Sequence, residues 1–154
     1  MEKQFVRKRN RIKNFDYSSP GAYFVTICTA NREKCLWDKC NGDLWPPLSE
    51  LGMIVQREIQ KLDTVYSSIH IDKFTIMPDH IHMIILIETS IDESVQDPPS
   101  LSRVIQQFKG IITKQIGRSL WQKSFYDHGI RSQQDYEEIW QYIHNNPFKY
   151  LIKK

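Results

Sequence analysis

Two runs rich in β-branched and other apolar residues, Ile69–Met77 and His80–Ile87, are separated only by Pro78-Asp79. Parallel strands need a crossover of a dozen or more residues, so a connection this tight makes the two runs an antiparallel hairpin. The rest of the chain must supply partners for that hairpin. Tyr23–Thr29 is rich in β-branched and aromatic residues and reads as a strand, after the turn cluster Ser18-Ser19-Pro20-Gly21. Leu51, Ile54, Val55, Ile59 and Leu62 recur at helical spacing behind Ser49, a suitable N-cap with Gly52 at N3. A second helix follows Ser100 or Ser102, with Leu101, Val104, Ile105, Phe108, Ile111, Ile112 and Ile116 on its apolar face and Gly117 near its end. Ser124–Ile130 is a short fourth strand. Gln133–Asn145 is a last helix, closed by Pro147. The order β-α-β-β-α-β-α predicts an α+β, ferredoxin-like βαββαβ fold. Its antiparallel sheet carries helices on one face, and a C-terminal helix is added.

At 154 residues, the chain fits one domain, expected over 20–154 behind a basic arm, 1–19. Its longest purely apolar run, Met83–Ile87, falls far short of the ~20 residues a membrane helix needs. No apolar segment follows the charged start, so no secretory signal is expected. Cys28, Cys35 and Cys40 are odd in number and form no CxxC pair. That favours a reducing cytoplasm and disfavours structural zinc.

The formal charge is only +3, but it is unevenly spread. Lys3, Arg7, Lys8, Arg9, Arg11 and Lys13 against Glu2 give the first thirteen residues +5. Arg103, Lys109, Lys114, Arg118 and Lys123 lie in the acid-free stretch Ser100–Tyr126. Glu88, Asp92, Glu93 and Asp97 stand between the two. Two basic segments on a nearly neutral body suit a polyanion, or are simply a solvated tail and a solvated helix face.

His80 and His82 share one face of their strand, about 7 Å apart along it, with Ile84 and Leu86 continuing that face. Two such imidazoles can converge on one metal ion or can be half-buried strand histidines. On the last helix, Tyr136, Ile139, Trp140 and Ile143 define the buried stripe. Tyr142 lies off its centre, one turn before Asn146. Tyr142 can serve as a nucleophile or pack its ring on the sheet. Asn146 can give a metal an oxygen or cap the helix ahead of Pro147. A phenol with a pKa of about 10 is a poor nucleophile at neutral pH. A divalent ion on a scissile phosphate would favour its attack and the departure of an oxyanion. Phenolate is also a good leaving group, so a phosphotyrosine linkage is reversible and suits strand transfer.

His80-Ile81-His82, within Met77-Pro78-Asp79-His80-Ile81-His82-Met83, resembles the HUH motif of single-strand DNA transposases with one catalytic tyrosine. Three further blocks are similar to the REP-associated tyrosine transposases (RAYTs). They are Gly21-Ala22-Tyr23-Phe24-Val25-Thr26, Tyr126-Asp127-His128-Gly129-Ile130-Arg131 and Trp140-Gln141-Tyr142-Ile143-His144-Asn145-Asn146-Pro147. The resemblance runs from about Phe15 to Tyr150. It implies a ferredoxin-like fold, Mg²⁺ or Mn²⁺ as cofactor, and cleavage of single-stranded DNA to a 5′-phosphotyrosine and a free 3′-OH. It also implies recognition of short palindromic hairpins. On it, Tyr142 is the nucleophile, and His80, His82 and Asn146 are the metal ligands. Gly129 departs from the bulky aliphatic residue often found there.

Single-stranded or hairpin DNA is then the expected partner, with no membrane, and the protein is expected in the cytoplasm at the nucleoid. Arg7, Lys8, Arg9, Arg11, Lys13, Arg103, Lys109 and Arg131 are the candidate DNA contacts. Arg131 and His128 can instead fix the local strand. Tyr126 is the competing nucleophile, on a strand rather than a helix. Two other functions stay open: a hairpin-binding regulator without cleavage, and a zinc hydrolase using Asp79. The second is disfavoured because Asp79 should face away from both histidines on a regular strand. A monomer or a homodimer is compatible with the sequence.

Overall fold

The computed structural model describes residues 21–40, 45–88 and 99–152. Four strands, β1 (Ala22–Cys28), β2 (Ile69–Ile76), β3 (His80–Ile87) and β4 (Tyr126–Gly129), form one sheet in the order β2-β3-β1-β4. Every neighbouring pair is antiparallel. Three helices, α1 (Glu50–Val65), α2 (Leu101–Ile116) and α3 (Gln133–Ile152), complete the α+β, ferredoxin-like arrangement.

The hairpin forms where the two apolar runs placed it, and β3 has the expected bounds. The register pairs Ile76 with Ile81 and shifts between Ile71 and Lys73, so β2 carries a bulge. Ser49 caps α1 by accepting from the Gly52 amide at 3.0 Å. Ser100, not Ser102, caps α2 by accepting from Arg103 N at 3.2 Å. Gly117 closes α2 in the left-handed region, φ 78°, where a Cβ would be strained.

Gly52 is needed for a different reason. A Cβ built on it would fall 2.2 Å from the Leu36 carbonyl oxygen, so only glycine lets α1 approach the 35–37 segment this closely. Gly52→Ala is expected to cost about 1–3 kcal/mol by overpacking against backbone. Urea denaturation checks this, and an unchanged midpoint would mean that the Leu36 segment yields freely.

The helices do not all lie on one face. α1 and α2 cover one side, where Val55, Ile59, Val104, Phe108 and Ile112 meet Val25, Ile27, Ile81, Met83 and Ile85. α3 covers the other, where Tyr136, Trp140 and Ile143 meet Ala22, Ile84, Leu86 and Ile130. The reason is in β3 itself. Its odd and even positions are both apolar beyond His82, so each face needs a cover.

Pro147 also departs from expectation. It does not end α3 but lies buried inside it, and the helix runs on to Ile152. A proline here removes one hydrogen bond to Ile143. Packing beyond it holds the last turn: Phe148 meets Trp45 in a tilted contact with ring centroids 4.9 Å apart, and Tyr150 meets Trp37 edge to face at 5.4 Å. Asn146 is therefore an interior helical residue and not a C-terminal cap. Among the described residues, no helix is long and apolar enough to cross a membrane.

Candidate active site

β3 presents His80, His82, Ile84 and Leu86 to the α3 side of the sheet. Directly opposite on β1 stand Cys28, Thr26, Phe24 and Ala22. The histidine rings approach edge to face with centroids 4.7 Å apart, closer than the strand repeat, so the two side chains converge. Each ring is held from behind. His80 Nδ1 lies 2.7 Å from Asp79 Oδ1, and His82 Nδ1 lies 2.8 Å from Thr26 Oγ1. When each Nδ1–H donates to its partner, each Nε2 is left as an acceptor. His82 Nε2 is buried with no hydrogen-bond partner.

Burial sets the charge of this pair. His82 is pushed down to about 3 chiefly by burial, and the neighbouring His80 and Arg32 further disfavour a charge on it. His80 is also lowered by burial, although Asp79 pulls the other way. Both imidazoles are thus neutral at pH 7, with lone pairs available. For Asp79, burial favours the neutral acid, but bonds from His80 and Arg32 outweigh it and hold the carboxyl below its ordinary range.

Asp79 corrects the expectation that it would face away from the histidines. It lies in the connection before β3, where strand alternation does not apply, and its carboxylate bonds His80 Nδ1. It stands behind His80, which removes the support for a zinc hydrolase in which Asp79 is a ligand. Among the described residues, no group of three or more His, Cys, Asp or Glu could hold a metal ion. Any further ligand that the described residues gave a metal at the histidine pair would be of another type. Asn146 is such a residue: its Nδ2 is buried without a partner. Turning the amide over exchanges Nδ2 for Oδ1.

α3 brings Tyr142 to this pair. Its stripe is anchored by buried Tyr136, which bonds Asp72, and by Trp140, whose ring lies 4.2 Å beneath Lys73 Nζ. Tyr142, on the flank of that stripe, stays 48% exposed, with its ring 5.5 Å from His82 and 6.1 Å from Phe24. Asn146 follows one turn later. Tyr126 pairs with Thr26 and so shares this sheet face. It stands two strand spacings from His82, roughly 10 Å, on the outermost strand.

The basic candidates are scattered. Arg103 and Arg131 are exposed. Lys109 directs Nζ to the carbonyls of Gln122 at 2.8 Å and Ser124 at 3.1 Å, tying α2 to the approach to β4. Two of its three donors are so used, and burial lowers its pKa. His128 bonds Asp135 at 3.0 Å, a strand-fixing role. Arg7, Lys8, Arg9, Arg11 and Lys13 lie outside the described residues, as do Asp92, Glu93 and Asp97.

Sequence reasoning missed Thr26 and Arg32. Thr26 needed the β1–β3 register to be seen as the His82 partner. Arg32 follows Asn31 in a short turn, Ala30–Arg32, and both have left-handed backbone, φ 57° and 53°. Asn tolerates that region, but an arginine there costs about 1–2 kcal/mol and has no local sequence signal.

The family model for IS200-like transposases matches residues 19–146. An uncharacterised Haemophilus influenzae protein is 29% identical over 92% of this chain and 88% of its own length. A second H. influenzae protein, named for the REP-associated tyrosine transposases, is 25% identical over 88% of this chain and 74% of its own. Among solved structures, a REP-associated tyrosine transposase bound to a REP hairpin superimposes with a TM-score of 0.62 at 22% identity, covering 85% of this chain and 68% of that one. With the family model spanning most of its length, the chain belongs to the IS200-like transposase family.

Proposed function

We propose that the protein nicks single-stranded DNA beside a hairpin and rejoins it, through a 5′-phosphotyrosine on Tyr142 and with Mg²⁺ or Mn²⁺ as cofactor. The observation that carries this reading is the buried, unpartnered His82 Nε2 with the Tyr142 ring 5.5 Å from its own. A buried polar atom left without a partner costs about 1–3 kcal/mol, so such an atom beside a half-exposed tyrosine suits a ligand. His80 Nε2, His82 Nε2 and the Asn146 amide oxygen would hold the ion, and neutral imidazoles with an amide suit a divalent cation that also keeps water and phosphate oxygens. When bound, the cation supplies charge neutralisation at the scissile phosphate.

The chain's own residues do the remainder. Asp79 and Thr26 fix the two rings. Phe24 and His82 flank the Tyr142 ring and limit its rotation. Tyr142 Oη gives its proton to water and attacks phosphorus. The P–O3′ bond breaks, and the departing 3′-oxygen takes up a proton. In the reverse step a 3′-hydroxyl attacks the phosphotyrosine, restoring the phosphodiester and freeing Tyr142. The Tyr142 ring meets His82 within one chain, which supports an active site built in cis. Arg103, Arg131 and the third Lys109 donor, with the arm residues Arg7, Lys8, Arg9, Arg11 and Lys13, would contact DNA phosphate. The hairpin-bound neighbour supports the choice of DNA.

The test is incubation of the full chain with labelled single-stranded DNA containing palindromic hairpins, in Mn²⁺, Mg²⁺ or EDTA. A covalent adduct is expected with either metal and none in EDTA. Hairpin binding without an adduct in any metal would overturn nicking and leave a non-cleaving regulator.

A further inference from the structure

The turn after β1 is built around the residue that precedes the histidine pair. Thr29 N donates to the Asp79 carbonyl at 3.0 Å, and Thr29 Oγ1 lies 3.1 Å from the same oxygen. Ala30 N donates to Leu120 O at 2.8 Å, and Arg32 N donates back to Thr29 O at 3.0 Å. These bonds hold Asn31 and Arg32 in left-handed backbone although neither is glycine. Strained backbone persists only where the surroundings over-determine it, and such places cluster at functional sites. What the strain achieves is the placement of one side chain. Arg32 Nε donates to Asp79 Oδ2 at 3.2 Å, while Asp79 Oδ1 faces His80 Nδ1 at 2.7 Å. Arg32 Nη2 also comes within 3.4 Å of His80 Nδ1. With that nitrogen's proton directed at Asp79, this last approach is donor to donor and adds no bond.

We propose that Arg32 is a positioning residue of the metal site: by gripping one oxygen of Asp79 it aims the other at His80, and so fixes the ring with Nε2 toward the ion. The inference rests on the metal-site reading above. Without Arg32, the carboxylate can rotate on its own side chain and His80 loses its fixed orientation. Carboxylate–histidine partners of this kind change metal affinity by about 10–100-fold when they are removed.

The experiment is Mn²⁺ binding, read by the loss of the free-ion EPR signal, on the full chain without DNA. Wild type is compared with Arg32→Gln, Arg32→Lys, Asp79→Asn, the Arg32→Gln/Asp79→Asn double variant and His82→Ala. Thermal melts run alongside confirm folding, and Arg32→Lys keeps the charge if Arg32→Gln is unstable. Arg32→Gln is expected to weaken Mn²⁺ binding about tenfold or more. Arg32→Lys should recover part of that loss. The double variant should bind no more weakly than Asp79→Asn alone, because both act on one path. Hairpin-DNA affinity in EDTA should not change. If His82→Ala abolishes Mn²⁺ binding but Arg32→Gln retains wild-type affinity, the role of Arg32 is overturned and the metal site stands. If Arg32→Gln weakens only DNA binding, Arg32 is a phosphate contact and the proposal fails. If wild type binds no Mn²⁺, the metal-site reading itself falls.

Discussion

Tyr142→Phe is expected to abolish the covalent protein–DNA adduct while leaving the fold and hairpin binding intact. The ring's packing against Phe24 and His82 needs only the phenyl group, which the variant keeps. The side chain is half exposed, so the stability change should stay within about 0.5 kcal/mol. The lost hydroxyl is the proposed attacking atom. Removing a covalent nucleophile costs on the order of 10⁶-fold in a serine protease, and a loss of that size would place adduct formation below detection. Denaturing gels of end-labelled hairpin DNA in Mn²⁺ give the readout. An adduct that survives in Tyr142→Phe and disappears in Tyr126→Phe would move the chemistry to β4.

The second large effect is one of placement. Trp140→Ala is expected to destabilise the protein by about 3–5 kcal/mol, a large share of the roughly 5–15 kcal/mol that holds a domain folded. Trp140 is 1% exposed, lies under Lys73 Nζ and stacks on His144 with centroids 5.1 Å apart. It is the largest side chain holding α3 to the sheet, and α3 carries Tyr142 and Asn146. Adduct formation should therefore fall although His80, His82 and Tyr142 are all present. Urea denaturation measures the first effect, and hydrogen exchange of α3 amides measures the second. Trp140→Phe should lose less on both. A loss below about 1 kcal/mol for Trp140→Ala would mean that α3 is held by other contacts.

Several features were readable because they depend on neighbours in sequence. The antiparallel hairpin follows from two apolar runs and a two-residue connection. The caps at Ser49 and Ser100 and the glycine at 117 are local backbone chemistry. That Tyr142 flanks the buried stripe of its helix follows from a period of 3.6. His80 and His82 share a face because strands alternate.

Other features depended on contacts between distant segments. Pro147 reads as a stop, and only Trp37 and Trp45 packing beyond it shows why α3 continues. Lys109 reads as a free cation, and only the path of residues 122–124 turns its ammonium inward. Asp79 reads as facing away if it continues the strand, but β3 begins at His80 and strand alternation does not reach it.

The sequence by itself determined the order of strands and helices, the shared face of the two histidines and the family likeness. Each rests on spacing along one chain. The tertiary structure alone decided that α3 covers the face opposite α1 and α2, which brings Tyr142 to His82. It alone decided that Thr26, Asp79 and Arg32 stand behind the imidazoles. Those positions follow from cross-strand register and from burial on both sides of β3, and no local pattern encodes which distant residue fills a gap in a packed layer.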